Sequence, residues 1–342
     1  MKSNHPRYLV LLLTTACNLE CVYCYREENN HFQCMPHEIA EKGLRLAASS
    51  GCSFHIQLTG GEPTLEPELI EWVASLVRKE GWPATLGIQT NGTILDAPLI
   101  RMFKRYDIQV GVSLDGPSDF HERLRGKFIS TINGLKLLSD HAVPFRVTTV
   151  ITEQNVAALG QLALLLGNFT TAEGLALDLL VCKGHAALKS DYVNPASAQE
   201  LRNGLRKLMQ ALGWINEKRL HPIKLRELES LKRAAKIKGS DFFCHAGRGE
   251  SLAVCPDGAV YPCAQTVGDS CFACGTIETI DEERLLKLER YRLQNELCRD
   301  CFLFRFCPGD CPSRLYYNDT RTRRLACVMY QTLWKEYIRS PL

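Results

Sequence analysis

Long apolar runs are what this 342-residue sequence has least of. The longest near its start, Tyr8 to Leu13, is far too short to span a bilayer, and the small-residue cleavage site of a secretory signal is missing. Those two absences exclude a membrane anchor of that kind and make the cytoplasm the expected compartment. Surplus charge of one sign is also lacking. A formal net charge of +3 gives nucleic acid no claim as an obligatory partner. No stretch is low in complexity, and the only repeat is an alternation of strand-like and helix-like patterns. Cysteine, by contrast, is plentiful: there are 16, and ten of them lie between Cys244 and Cys327. A disulfide framework belongs to small secreted domains, so metal or cluster ligation explains this number better.

Apolar, β-branched runs predict strands at Tyr8–Thr14, Phe54–Thr59, Ala84–Gln89, Gln109–Ser113, Phe145–Ile151 and Ala176–Val181. Helical patterns fall between them, near 36–50, 67–80, 97–106, 131–141 and 156–167, with Pro36 and Pro67 where first turns would begin. Strand and helix alternating in this way imply parallel pairing with right-handed crossovers. Two strands too few are found before residue 240 for a closed eight-unit barrel. The expected fold is therefore α/β, a partial (β/α)6 TIM-like barrel over residues 1–188. A helical bridge over 189–240 follows, then a cysteine-rich domain over 241–342. The bridge carries Leu201, Leu205, Leu208, Met209 and Leu212 at helical spacing among many Lys and Arg, as does the basic stretch Lys224 to Lys238. It reads first as a solvated linking helix and second as a docking face for an acidic leader peptide.

Function in such a fold sits at the C-terminal ends of the strands. After strand one, Cys17, Cys21 and Cys24 form a C-x3-C-x2-C run. Three thiolates on one loop can hold three irons of a four-iron cluster and leave the fourth iron open. A zinc site or three buried thiols is the plainer alternative, although structural zinc prefers four ligands from paired units. Strand two ends in Gly60-Gly61-Glu62-Pro63, where glycines admit close backbone approach and Glu62 can accept from an ammonium group. Strands three and four end near Asn91 and Ser113, with Asp115 reading as a turn residue. Arg125 and Arg146 are candidates for a bidentate carboxylate contact or simply solvated. His55 reads as a core residue, and Cys34, Cys52 and Cys182 as small buried hydrophobes.

In the last hundred residues, Cys244 and Cys263 flank a strand–turn–strand pattern over Cys255–Tyr261. Cys298, Cys301, Cys307 and Cys311 follow in a C-x2-C-x5-C-x3-C run, and Cys327 comes later. Cys271 and Cys274 add a further C-x2-C. A zinc ribbon from Cys271, Cys274, Cys298 and Cys301 is the simpler alternative, but it leaves the rest of the run unexplained.

The run Thr14–Tyr25, with Tyr23 as the aromatic residue before the last cysteine, resembles the signature of the radical S-adenosylmethionine (SAM) enzymes. Seven of the ten cysteines from Cys244 to Cys327, namely Cys244, Cys263, Cys298, Cys301, Cys307, Cys311 and Cys327, resemble their SPASM extension. The resemblance implies that Gly60, Gly61 and Glu62 meet the SAM amino group. It also implies that Asn91, Ser113 and Arg125 meet its ribose and carboxylate. It further implies three [4Fe-4S] clusters, one binding SAM at Cys17, Cys21 and Cys24 and two auxiliary. Cys244, Cys263 and Cys311 would hold one auxiliary cluster, with Cys255 the candidate fourth ligand or else an iron left open. Cys298, Cys301, Cys307 and Cys327 would hold the other.

Members of this group split SAM to methionine and a 5′-deoxyadenosyl radical, and mostly modify peptides or proteins. The implied function is an oxidoreductase acting as a peptide or protein maturase in an anaerobic or well-reduced cell, forming a crosslink or dehydrogenating a side chain. Its implied partners are a peptide or protein substrate and a reductant such as flavodoxin or ferredoxin. Two departures stand out. Anaerobic sulfatase maturases carry an Asp directly after the cysteine matching Cys263, and this sequence has Ala264 and Gln265. The winged-helix leader-binding fold is expected to be absent, which points to a separate leader-recognition protein or a substrate recognised without one. Oxidation of a tetrapyrrole, maturation of a metal cofactor, and a non-catalytic iron–sulfur protein are the competing readings.

Overall fold

The structure is a computed structural model that describes residues 6–26, 32–237, 239, 243–291, 298–320 and 322–340. Lys238 and Ser240, which close the basic stretch and the bridge, lie outside the described residues. Six parallel strands form where the apolar runs predict them: β1 (Tyr8–Leu12), β2 (Phe54–Thr59), β3 (Ala84–Thr90), β4 (Ile108–Ser113), β5 (Phe145–Ile151) and β6 (Ala172–Leu179). They stand in sequence order, and β1 and β6 do not pair with each other, so the barrel is open. β6 starts four residues before the expected Ala176, because its pairing with β5 reaches back to Ala172 across a bulge at Phe145/Arg146.

Helices α1 (His37–Ala48), α2 (Pro67–Lys79), α3 (Ala97–Arg105), α4 (Ser118–Leu124), α5 (Phe128–Asp140) and α6 (Leu159–Leu166) fill the crossovers. Pro67 opens α2, whereas Pro36 stands one step earlier, at the cap of α1. Alternation along β2 sends Phe54, Ile56 and Leu58 into the core against these helices. The opposite, inner face of β2 is polar. On the inner side of the sheet Tyr8 Oη donates to Gln57 Oε1 at 3.2 Å and Gln89 Nε2 to Ser113 Oγ at 3.0 Å. His55 belongs to this inner face too, half-buried with its ring stacked on Tyr8 at 5.0 Å, rather than to the apolar core.

The bridge differs from a solvated linker. After the short α7 (His185–Leu188), Ser197 and Glu200 close a capping box that starts α8 (Ala198–Asn216). Its periodic Leu201, Leu205, Leu208, Met209 and Leu212 are all buried. β7 (Lys224–Leu225) then adds a seventh parallel strand beside β6, and α9 (Arg226–Ile237) follows. Amphipathicity shows that a helix has an apolar face but not what covers it. Here α6 and the last helix of the chain cover α8, so the apolar core runs unbroken from the barrel into the C-terminal segment.

The second half joins the same sheet. β8 (Ser251–Val254) pairs in parallel with β1 on its free edge, and β9 (Val260–Tyr261) returns antiparallel to β8. The hairpin read from Cys255–Tyr261 is present, with Gly258 at φ +83° in its turn. Short helices α10 (Glu282–Leu285) and α11 (Pro312–Tyr317) and the longer α12 (Leu325–Arg339) complete the described chain. No described helix is long and apolar enough to cross a membrane.

Candidate active site and thiol centres

The loop carrying Cys17, Cys21 and Cys24 leaves the C-terminal end of β1 and is gripped by the loops after β2, β3, β4 and β6. After β2, the N–H groups of Gly61 and Glu62 donate to Thr14 O and Ala16 O, both at 2.8 Å. A Cβ on Gly61 would stand 1.9 Å from Ala16 O, and one on Gly60, whose φ is +143°, 2.5 Å from Thr14 O. The glycine pair is needed because two backbones lie against each other here. After β3, Asn91 Nδ2 donates to Asn18 Oδ1 at 2.7 Å, and Asn18 Nδ2 donates to Thr93 Oγ1 at 2.9 Å. After β6, His185 N donates to Cys24 O at 2.8 Å. A Cβ on Gly184 would lie 2.7 Å from that same oxygen.

The fourth grip comes from Asp115, just beyond β4 and 1% exposed. Its Oδ2 accepts from Arg125 Nε at 2.8 Å and from the Tyr23 hydroxyl, and its Oδ1 accepts from Val150 N at 2.9 Å. Arg125 lies over the Tyr23 ring at 5.3 Å and points Nη1 at Cys21 Sγ, 3.7 Å away. Burial alone would lower the Arg125 pKa, but Tyr23, Asp115 and Cys21 outweigh it and hold the guanidinium charged. Beneath them His121 is fully buried, and its Nδ1 accepts from Asp115 N at 3.3 Å. Burial pushes its pKa down to about 4.

Two of the candidate side chains have partners within the protein. The Glu62 carboxylate is bound on both oxygens. It is 1% exposed and accepts from Thr64 N, Thr64 Oγ1, Thr90 Oγ1 and Asn91 N at 2.5 to 3.1 Å. It thereby ties the end of β2 to the end of β3. Arg125 is paired with Asp115 and points at Cys21, and Arg146 is an exposed residue at the opposite, N-terminal end of β5. Ser113 and Gln89 remain on the inner face, near the C-terminal ends of β4 and β3.

The thiols fall into three groups by mutual charge. Cys21 is pushed up to about 12 by burial, with Arg125 pulling down and Cys24, Asp115 and Cys17 pushing further up. Cys311 rises to about 12 through burial and then through Cys244 and Cys263. Cys307 also rises to about 12, through burial and then Cys327, Cys301 and Cys298. These neighbourhoods coincide with the sets that the family resemblance implies. Cys255 joins none of them. It is 6% exposed in the apolar wall of Val10, Leu12 and Ala253, its backbone is bonded into the hairpin turn, and its charged neighbours are Asp257, Arg26 and Lys183. Cys274 also stands apart from Cys298 and Cys301, near Asp281, Arg284 and Lys287.

A sulfur-only donor set on one loop, with a guanidinium beside it, has the chemistry to hold an iron–sulfur cluster. Among the described residues no three His, Cys, Asp or Glu side chains converge on one point as the ligands of a single ion do. The reading by motif missed Asn18, Gly184 and His185. The Lys183-Gly184-His185 run after the sixth strand was the available signal, a glycine where a loop meets another backbone.

Residues 11–166 match the Radical SAM superfamily. An uncharacterized protein of Methanocaldococcus jannaschii, MJ0907, is 27% identical over 313 residues, which cover 88% of this chain and 98% of that one. The cysteine-type anaerobic sulfatase-maturating enzyme of Clostridium perfringens is 24% identical over 89% of this chain and 88% of its own length. The subtilosin biosynthesis protein AlbA of Bacillus subtilis is 30% identical over a shorter stretch, 46% of this chain and 36% of that protein. Among solved structures, anSMEcpe with bound AdoMet and Cp18Cys peptide has the same fold. Its TM-score is 0.78 at 21% identity, over 97% of this chain and 96% of that one.

Proposed function

We propose, from the premise that residues 11–166 are a radical SAM domain, that the chain cleaves SAM reductively and oxidatively modifies a peptide or protein side chain. The observation that carries this reading is the cysteine loop, gripped on several sides, with two more thiol sets in the same chain. Cys17, Cys21 and Cys24 would hold a [4Fe-4S] cluster. Bound there, that group supplies one electron to the SAM sulfonium, giving methionine and a 5′-deoxyadenosyl radical. Gly60 and Gly61 fix the loop that presents the thiols, and Arg125 offsets thiolate charge at Cys21. Tyr23 is anchored through its hydroxyl to Asp115. Asn91 and Ser113, at the ends of β3 and β4, are assigned to the cofactor's ribose and carboxylate.

Cys244, Cys263 and Cys311 would hold one auxiliary cluster, and Cys298, Cys301, Cys307 and Cys327 the other. In domain terms, 1–188 is the radical core, 189–240 the bridge and 241–342 the auxiliary-cluster domain. Cys255 stands outside the first auxiliary set, so its assignment as the fourth ligand there is the weakest of these. A peptide substrate is supported by the bound peptide in the anSMEcpe structure and by what AlbA and the sulfatase-maturating enzyme are named for. Ala264 offers no base after Cys263, and Gln265 Oε1 is bound by the Ser313 hydroxyl. Peptides other than sulfatases are therefore the preferred substrates.

The test is anaerobic reconstitution with iron and sulfide, dithionite reduction, and chromatography for 5′-deoxyadenosine. Co-expression with short peptides encoded beside the gene, read by mass spectrometry, then looks for the loss of two hydrogens. Full activity after Cys17, Cys21 and Cys24 are all changed to Ala would overturn the reading.

A further inference from the structure

A groove of about 170 Å³ runs between α8 and α12 and is lined by Arg202, Arg206, Lys335 and Arg339 around a single carboxylate, Glu336. That carboxylate is shared by Arg206 at 3.5 Å and Arg339 at 3.2 Å, so the groove keeps a strong positive surplus. It is too small for a nucleotide-sized ligand, which needs roughly 300 Å³ or more, but carboxylate side chains from another surface fit it.

The floor of the groove reaches a thiol set. Gln331, which also lines it, donates from Nε2 to Cys301 Sγ at 3.4 Å. Lys335 extends the charged face over the Phe302 ring at 5.4 Å. Phe302 and Phe304 are 50% and 47% exposed, and Arg299 and Arg305 beside them are exposed as well. Exposed aromatic residues in the segment that carries Cys298 and Cys301, with Arg299, Arg305 and Lys335 against the one exposed carboxylate of Asp300, make a face with both apolar anchors and steering charge.

We propose that this face docks an acidic, single-electron carrier protein. In the docked complex the carrier's reduced flavin or iron–sulfur group would lose one electron, and the group held by Cys298, Cys301, Cys307 and Cys327 would take it up and pass it to the group held by Cys17, Cys21 and Cys24, where SAM cleavage consumes it. No proton or group is transferred. This inference rests on the iron–sulfur reading above. Adjacency to a thiol set favours an electron carrier over an acidic substrate peptide, which would have to meet the radical site at the strand ends.

The experiment compares reconstituted wild-type protein with an Arg206→Glu/Lys335→Glu double variant and a milder Lys335→Gln variant. Each is driven either by reduced flavodoxin or by dithionite, which needs no docking site. The ratio of flavodoxin-driven to dithionite-driven 5′-deoxyadenosine formation should fall about tenfold in the double variant, and less in Lys335→Gln. Direct titration of flavodoxin into the holoprotein should show the same loss of affinity, and added salt should weaken wild-type binding. An unchanged ratio together with unchanged affinity would overturn the proposal. So would a polyglutamate peptide that binds this face while flavodoxin does not. Absence of SAM cleavage under dithionite strikes at the proposed function instead, and the titration still decides the docking question.

Discussion

Arg125 and Cys21 are 104 positions apart in sequence, yet the Arg125 guanidinium points at the Cys21 sulfur from 3.7 Å. A cation there stabilises any added electron on a cluster held by that sulfur, and Asp115 keeps the cation in place. Replacing Arg125 by Gln should make that cluster harder to reduce, by on the order of 100 mV for one charge at this range. Asp115→Asn should move the potential the other way by a smaller amount. Redox titration followed by electron paramagnetic resonance reads both, and equal potentials in all three proteins would refute the role.

Gly61→Ala places a methyl group 1.9 Å from the Ala16 carbonyl oxygen. The cysteine loop must move, at a cost of about 3 kcal/mol or more. Iron content after reconstitution should fall by one cluster while the two C-terminal sets still load. Gly43→Ala in α1 is the control. Its new methyl meets Leu11 at an ordinary 3.5 Å, and helix propensity favours it by up to about 1 kcal/mol.

His121 makes stability depend on pH. Its folded pKa of about 4 lies below the unfolded value of about 6.5. Above pH 6.5 the ring is neutral in both states and contributes nothing. As pH falls from 6.5 towards 4, the unfolded chain takes up a proton that the folded chain refuses, and stability is lost. The loss is at most about 3 kcal/mol. In His121→Asn, which keeps an acceptor for Asp115 N, denaturant midpoints should decline less over that window than in wild type.

Asn318 fastens the two halves. It is 4% exposed, its Oδ1 accepts from Cys182 N at 3.0 Å, and its Nδ2 donates to Leu180 O at 3.0 Å. Asn318→Ala strands two backbone groups between the end of β6 and α11, at about 2–4 kcal/mol. Unfolding should begin earlier, and limited proteolysis should cut first near residue 182. A wild-type cleavage pattern would count against this.

Local signals carried much of this fold into the sequence. Strands β2 to β5 are found within about a residue of the apolar runs that predicted them, because period-two burial leaves its own pattern. The family resemblance, and not the spacing alone, pointed to the thiols that share a neighbourhood, since it set Cys311 with Cys244 and Cys263. Direction and partner were not legible. Nothing in Gly-Gly-Glu-Pro says that the Glu62 carboxylate turns into the sheet, and Asp115 in a Leu-Asp-Gly-Pro run looks like any turn residue. Only the fold, which sets Tyr23, Arg125 and Val150 around it, makes Asp115 a hub. The apolar stripe of α8 was visible, but its covering helix α12 lies more than a hundred residues away.

The seat of β8 against β1 has a cost during synthesis. On the ribosome, Tyr8–Leu12 emerges early, and its outer edge waits for Ser251–Val254. At typical elongation rates of ~5–20 residues per second that wait lasts tens of seconds. Throughout it a bare, wholly apolar strand edge is offered to other nascent chains. Abundant chaperone should therefore raise the soluble yield of the full-length polypeptide, whereas chains cut before residue 250 should collect in inclusion bodies.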